Sequence, residues 1–194
     1  MSILKVPSEA EATGLTAEIY AADAHSMGYV PSHTKAMSLN PEAHRIWESL
    51  TQAISSSLGL RRYELVTLAA AQAIGSSHCR LAHGKKTLTI IDQEQLLAIA
   101  RNYREAGLSP EEVAMMDYAV KLSTDAAGMN DDDTQRLRDA GFSDREIADI
   151  TLAAAARNYF SRALLALAVE LDVPPGVSTE LQEALLAPLP RRGD

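Results

Sequence analysis

Glu64, Cys79 and His83 stand at spacings that can carry nucleophilic chemistry, and His78 lies beside the cysteine. Cys79 is the only cysteine, so an internal disulfide is excluded. Gly75 can end one helix in a left-handed turn, and Ser76 or Ser77 can cap the next. With Ser76 as the cap, Cys79 takes the third helical position, where unpaired backbone N–H groups and the helix dipole favour a thiolate. His83 follows four residues later on the same face, able to take the thiol's proton or, once charged, to stabilise the thiolate. His78 points about 100° away around the helix, toward a second role or another surface. If the preceding helix packs against this one, the Glu64 carboxylate orients and polarises His83, completing nucleophile, base and orienter. Two other readings fit the same residues. A lone cysteine is commonly an inert, buried small hydrophobe. A zinc site needs three or four protein ligands, and Cys79, His83 and Glu64 come without a CxxC.

The elements that must position these residues read as helices. There are nine aromatic residues and long Ala/Leu runs, and no segment alternates at strand period. Asn40-Pro41 offers a cap followed by proline at the first helical position. Ser109 with Glu112 and Ser143 with Glu146 form capping boxes, and Asn130 precedes three carboxylates at a helix start. Gly107, Gly141 and Pro174-Pro175 mark stops. Trp47, Leu50, Ile54 and Leu58 step at helical period, as do Val113, Met116 and Val120. These signals predict helices over 9–27, 41–58, 61–74, 77–88, 92–104, 110–123, 131–140, 144–171 and 179–186. A loosely docked N-terminal arm and a polar tail from about residue 187 complete the expectation. Trp47 and the Met115-Met116 pair are expected in the core or at an oligomer interface, and His25, His33 and His44 as surface or structural residues.

Thr67-Leu68-Ala69-Ala70-Ala71 recurs as Thr151-Leu152-Ala153-Ala154-Ala155, 84 residues later. Similar entries precede both copies, Gly59-Leu60 with Glu64-Leu65 and Gly141-Phe142 with Glu146-Ile147. Two related helical halves, or convergent Ala-rich packing, account for this equally well. Thiol and imidazoles follow the first copy alone, so chemistry is expected there and packing in the second.

Composition removes several function classes. The chain has 194 residues, 46% hydrophobic and 23% charged, with 18 basic against 26 acidic side chains for a net charge of −8. That balance argues against nucleic-acid binding, which needs basic clusters to displace counterions. No apolar run reaches the ~20 residues that span a membrane. The opening Met1-Ser2-Ile3-Leu4-Lys5-Val6-Pro7 lacks a signal peptide's apolar core, which makes a cytoplasmic location the expectation.

Around the cysteine the sequence resembles the alkyl hydroperoxidase D (AhpD) and carboxymuconolactone decarboxylase-like family. That family shares a Glu, eleven residues, then Cys-x-x-Cys-x-x-x-His. Here Glu64 is followed by eleven residues and then Ser76-Ser77-His78-Cys79-Arg80-Leu81-Ala82-His83. Gly28-Tyr29-Val30-Pro31, the stretch from Leu108-Ser109-Pro110 to Leu122, and that from Gly141-Phe142-Ser143-Asp144 to Ile150 resemble its peroxidase-related subfamily. The resemblance covers roughly residues 15–172 and implies one all-α, AhpD-like domain over 1–194, commonly a homo-oligomer, with no cofactor or metal. In the two-Cys enzymes of the family the second cysteine attacks peroxide and becomes a sulfenic acid, and the first closes a disulfide that a thiol reductant reopens. Carried over, Cys79 is the peroxidatic residue and Glu64 and His83 its proton relay, with His78 adjoining as in some members. The resolving position is Ser76, so turnover needs an external thiol, or the sulfenic acid over-oxidises. The implied activity is a thiol peroxidase acting on hydrogen peroxide or organic hydroperoxides. The alternatives are a decarboxylase-like enzyme, with Arg80 and Lys85-Lys86 attracting an anionic substrate, and a non-catalytic oligomeric member.

Overall fold

Six of the described α-helices start where a side chain takes one of the first unpaired N–H groups. Asn40 accepts from the Ala43 N–H ahead of Pro41, and Ser109, Asn130 and Ser143 each close a capping box with the acid three residues on. The structure, a computed structural model, describes residues 4–187, so the expected polar tail lies almost wholly outside the described residues. Its helices are α1 (Gly14–Met27), α2 (Ser32–Met37), α3 (Pro41–Leu58), α4 (Leu60–Ile74), α5 (Ser77–Thr87), α6 (Gln93–Asn102), α7 (Pro110–Thr124), α8 (Asp131–Asp139), α9 (Asp144–Ala166) and α10 (Thr179–Leu186). Single 3₁₀ turns follow α6 and α7. The fold is all-α, with no strand among the described residues. No helix is long and apolar enough to cross a membrane.

Helix α4 is the central element, packed against α3, α5, α7 and α9. Leu65, Val66, Ala69 and Ala70 on α4 are inaccessible and meet a core that includes Leu81, Met115, Met116 and Ile150. The two Ala-rich copies lie on α4 and α9, which pack on each other with Ala69, Ala70, Ala153 and Ala154 all buried. Small side chains let the two backbones approach, and ion pairs from Arg61 to Glu112 and from Arg62 to Glu146 bind α4 to the starts of α7 and α9.

Besides α1, which begins at Gly14 and not at residue 9, two features depart from the helix boundaries the sequence predicts. Helix α2 lies where no helix is expected. Six residues are too few to show a period, and its first turn is satisfied from a distance: Asp172 accepts from the Ser32 N–H at 2.6 Å and from its hydroxyl at 2.9 Å. The N-terminal segment is correspondingly well docked, with Ile19 and Tyr20 buried and the Tyr20 hydroxyl donating to the Pro7 carbonyl. The second departure is α9, which ends at Ala166 instead of running to 171. Val169 N–H bonds to Leu164 C=O and Ala168 N–H to Leu165 C=O, a Schellman stop sealed by packing of Val169 near Leu164. Its left-handed position is held by Ala168 at φ 48°, where the sequence carries no glycine to announce it. A Cβ is disfavoured in that conformation by about 1–2 kcal/mol. Ala168→Gly should therefore raise stability by about 0.5–1 kcal/mol after the extra unfolded-state entropy of glycine is counted. Denaturant unfolding would read this, and a variant less stable than the parent would contradict it.

Helix α10 lies against α5 and α6. It is held by Arg80, whose guanidinium donates to the Ala184 carbonyl at 3.0 Å, to the Ala100 carbonyl at 3.3 Å and to the Ala187 carbonyl. Arg80 is buried, and desolvation lowers its pKa to about 10, so it remains charged at neutral pH. The expectation that it attracts an anionic substrate is corrected: its donors go to the carbonyl ends of two helices, where a cation is favoured.

Candidate active site

Gly75 turns the chain from α4 into α5 at φ 77°, with Ser76 N–H on Ala71 C=O and Gly75 N–H on Gln72 C=O. Ser76 is the N-cap of α5 by position, yet its side chain makes no capping bond, and its buried hydroxyl has no partner among the described residues. Cys79 is the third residue of the helix, as the spacing predicts, and is 2% exposed.

The hydrogen bonds to the sulfur come from α9. Arg157 Nη1 donates to Cys79 Sγ at 3.3 Å, and the Ser161 hydroxyl donates to it at 3.2 Å. Arg157 is 2% exposed and has the Trp47 and Phe160 rings within 6 Å. Burial works against its charge, but the facing Cys79, Tyr63 and Glu64 outweigh this and hold its pKa above the ordinary value. A fixed guanidinium and a hydroxyl thus converge on one sulfur. The second Ala-rich copy thus does more than pack: it delivers both donors. Its signal was a charge on a buried stripe, for Ile150, Ala153, Arg157, Ser161 and Leu164 follow one another at helical spacing.

Glu64 and His83 meet across the α4–α5 contact, with His83 Nδ1 2.6 Å from Glu64 Oε2 and both side chains buried. Burial, reinforced by the Arg157 charge, lowers the His83 pKa to about 4 despite the carboxylate. Glu64 also titrates low: desolvation would raise it, but His83, Lys86 and Arg157 prevail. The resting pair is therefore a carboxylate accepting from Nδ1–H of a neutral imidazole, leaving Nε2 as a proton acceptor. His83 thus rests uncharged, and the cation bonded to the sulfur is Arg157. Among the described residues no hydrogen bond joins Cys79 to His83. Positions four apart are neighbours one turn away, and a cysteine side chain is short.

Cys79 and His83 line one cavity of about 460 Å³. His78 lines it too, its Nε2 2.9 Å from the Glu170 carbonyl, which ties α5 to the loop after α9. Two histidines assigned to surface or structural roles also reach this cavity. His33 and His44 line its wall, beside the stacked Trp47 and Phe160 rings, whose centroids are 4.0 Å apart. Neither has any sequence spacing to Cys79 that would reveal the meeting. A second cavity of about 300 Å³ reaches Glu64, His83 and Arg157 from the α3 side. Among the described residues no three His, Cys, Asp or Glu side chains gather as metal ligands.

Desolvation also lowers His33, to about 3. Both His33 and His83 then take up protons more readily in the unfolded chain, near pH 6.5, than in the fold. Their contribution to stability is present above pH 6.5 and is lost as pH falls toward 4. Each histidine adds a slope of up to about 1.4 kcal/mol per pH unit within that window. Thermal unfolding followed by circular dichroism should show the melting temperature falling from pH 6.5 to 4.5, less steeply in His83→Gln. A flat profile would contradict the neutral state of these rings.

No protein-family model matches the sequence, and no curated protein does. Solved structures do. The AhpD core of an uncharacterized peroxidase-related protein from Ralstonia eutropha JMP134 superposes at a TM-score of 0.78, with 23% identity, 96% of this chain and 97% of that one covered. An uncharacterized peroxidase-related protein from Silicibacter sp. TM1040 gives 0.77, with 25% identity, 88% and 92% covered. The debrominase Bmp8, in complex with 2,3,4-tribromopyrrole, gives 0.74 at 14% identity, with 95% and 98% covered. The fold that the motif around Cys79 implies is the fold these comparisons show: the chain has an all-helical, AhpD-like fold similar to that of those peroxidase-related proteins.

Proposed function

We propose that the chain is a one-cysteine thiol peroxidase in which Cys79 reduces a hydroperoxide. The observation that carries this reading is the sulfur itself, held by Arg157 and Ser161 in a cavity that an oriented, neutral His83 also lines. His83 Nε2 takes the thiol proton across the cavity, and Glu64 steadies the imidazolium that forms. The thiolate attacks the outer peroxide oxygen, the O–O bond breaks, and the proton returns to the departing alkoxide. The products are a sulfenic acid at Cys79 and an alcohol. Two molecules of an external thiol then restore the cysteine, releasing water and a disulfide.

The decarboxylase-like alternative loses its anion-binding Arg80 to the α10 carbonyls. The debrominase neighbour is a reminder that this fold is not tied to one reaction. Brief treatment with cumene hydroperoxide, followed by dimedone trapping and mass spectrometry, tests the reading. One dimedone adduct per chain should form at Cys79, and about a hundredfold more slowly in His83→Ala, the low end of the range for general acid–base groups. A Cys79 that stays reduced at peroxide levels that oxidise free cysteine would overturn it.

A further inference from the structure

The chain carries no second cysteine, so whatever regenerates Cys79 must enter from outside. Four observations restrict what that is. Cys79 is 2% exposed, deep in the 460 Å³ cavity, which has the volume that encloses a small organic molecule. Exchange requires the incoming sulfur to reach the target sulfur directly, which a thiol fixed on a folded protein's surface cannot do here. The cavity is also lined by Lys85 and Lys86, both exposed, and neither forms an ion pair among the described residues. Lys85 lies against Gly176, where a Cβ would stand 3.0 Å from its Nζ, so the absent side chain leaves room for the ammonium beside Pro174-Pro175. The acids on the same wall are engaged elsewhere: Asp23 accepts from the Thr34 hydroxyl, and Glu48 faces His44 and Arg45. Finally, His44, 4% exposed on the same wall, stands with Nε2 3.5 Å from Glu48 Oε1.

We propose that the thiol accepted at Cys79 is a small, carboxylate-bearing thiol, drawn in by Lys85 and Lys86, and not a protein dithiol. This rests on the peroxidase reading for its place in the cycle. A first thiolate attacks the sulfenic sulfur, an S–S bond forms, and the S–O bond breaks. The departing hydroxide takes a proton and leaves as water. A second thiolate attacks the mixed disulfide at the small-molecule sulfur, freeing the Cys79 thiolate and a small disulfide.

The test needs no peroxide. Full-length protein is loaded at Cys79 with 2-mercaptoethanol through 2-hydroxyethyl disulfide, and its release is timed with glutathione, glutathione diethyl ester and reduced thioredoxin. Glutathione should be roughly tenfold faster than the ester at low ionic strength, a preference that high salt removes. Lys85→Glu/Lys86→Glu, two exposed changes that leave the core intact, should abolish the preference. Thioredoxin should be slower than either small thiol. Equal rates for acid and ester, a preference that survives the double substitution, or faster release by thioredoxin would each overturn the proposal. Failure of sulfenic acid formation would overturn the peroxidase reading instead, because that is a separate measurement on the same protein.

Discussion

Arg157→Met should slow alkylation of Cys79 by iodoacetamide at neutral pH by roughly thirtyfold, the equivalent of one hydrogen bond to a charged group at about 2 kcal/mol. Peroxide oxidation should slow in parallel, because both reactions draw on the thiolate. The guanidinium is the only cation bonded to the sulfur among the described residues, and its Nη1 sits 3.3 Å away. Methionine keeps the length and apolar contact with Trp47 and Phe160 while removing charge and donors, so packing is perturbed least. Arg157→Lys keeps the charge but lacks the fork and should recover only part of the rate. Ser161→Ala removes a neutral donor and should cost less, about fivefold, in line with the smaller worth of a neutral hydrogen bond. A folded Arg157→Met protein with an unchanged alkylation rate would remove Arg157 from the chemistry and leave it a buried structural cation.

How far the fold could be read from the sequence depends on where the controlling atoms sit. Helices α3, α7, α8 and α9 begin at residues whose own side chains satisfy the first turn, so four to six consecutive letters hold the whole signal. Helix α2 begins under a carboxylate 140 residues away, Asp172, and nothing local declares it. The end of α9 is local, but it uses Ala168 in a conformation that normally asks for glycine, so pattern reading runs past it.

The site divides the same way. Glu64 and His83 were legible as a pair because both flank one helix turn, and a fixed spacing carries them to one contact. Cys79 was legible in place but not in company. Its donors come from 78 and 82 residues downstream, and only the odd presence of Arg157 within an Ala-rich buried stripe hinted that this face meets a charge. His33 and His44 gave no hint, because their approach to the cavity is set by how α2 and α3 dock, which no spacing to Cys79 encodes.

Ser76→Cys should convert the site to one that forms an internal disulfide under peroxide. Residues 76 and 79 are the N-cap and third positions of α5, the pair that a capping box brings into contact, so an introduced thiol stands within a turn of Cys79 Sγ. Attack by that thiol on the sulfenic sulfur expels water and closes the S–S bond before a second peroxide arrives. Because the reaction is intramolecular, turnover with a dithiol such as dithiothreitol should rise by roughly tenfold or more. The parent should instead accumulate sulfinic acid, or a mixed disulfide when a thiol is present. From sequence, the substitution would forfeit a capping bond of about 1 kcal/mol. The structure removes that cost: the Ser76 hydroxyl caps nothing and lies buried without a partner among the described residues. Since an unsatisfied buried hydroxyl is itself unfavourable by about 1–3 kcal/mol and a thiol is more easily desolvated, the reduced variant should be at least as stable as the parent. Intact mass before and after reduction, with unfolding curves of the reduced forms, checks both claims. A variant that stays reduced under peroxide would show that Cys79 does not pass through a sulfenic acid, and one that is markedly less stable would show that the Ser76 hydroxyl has a partner after all.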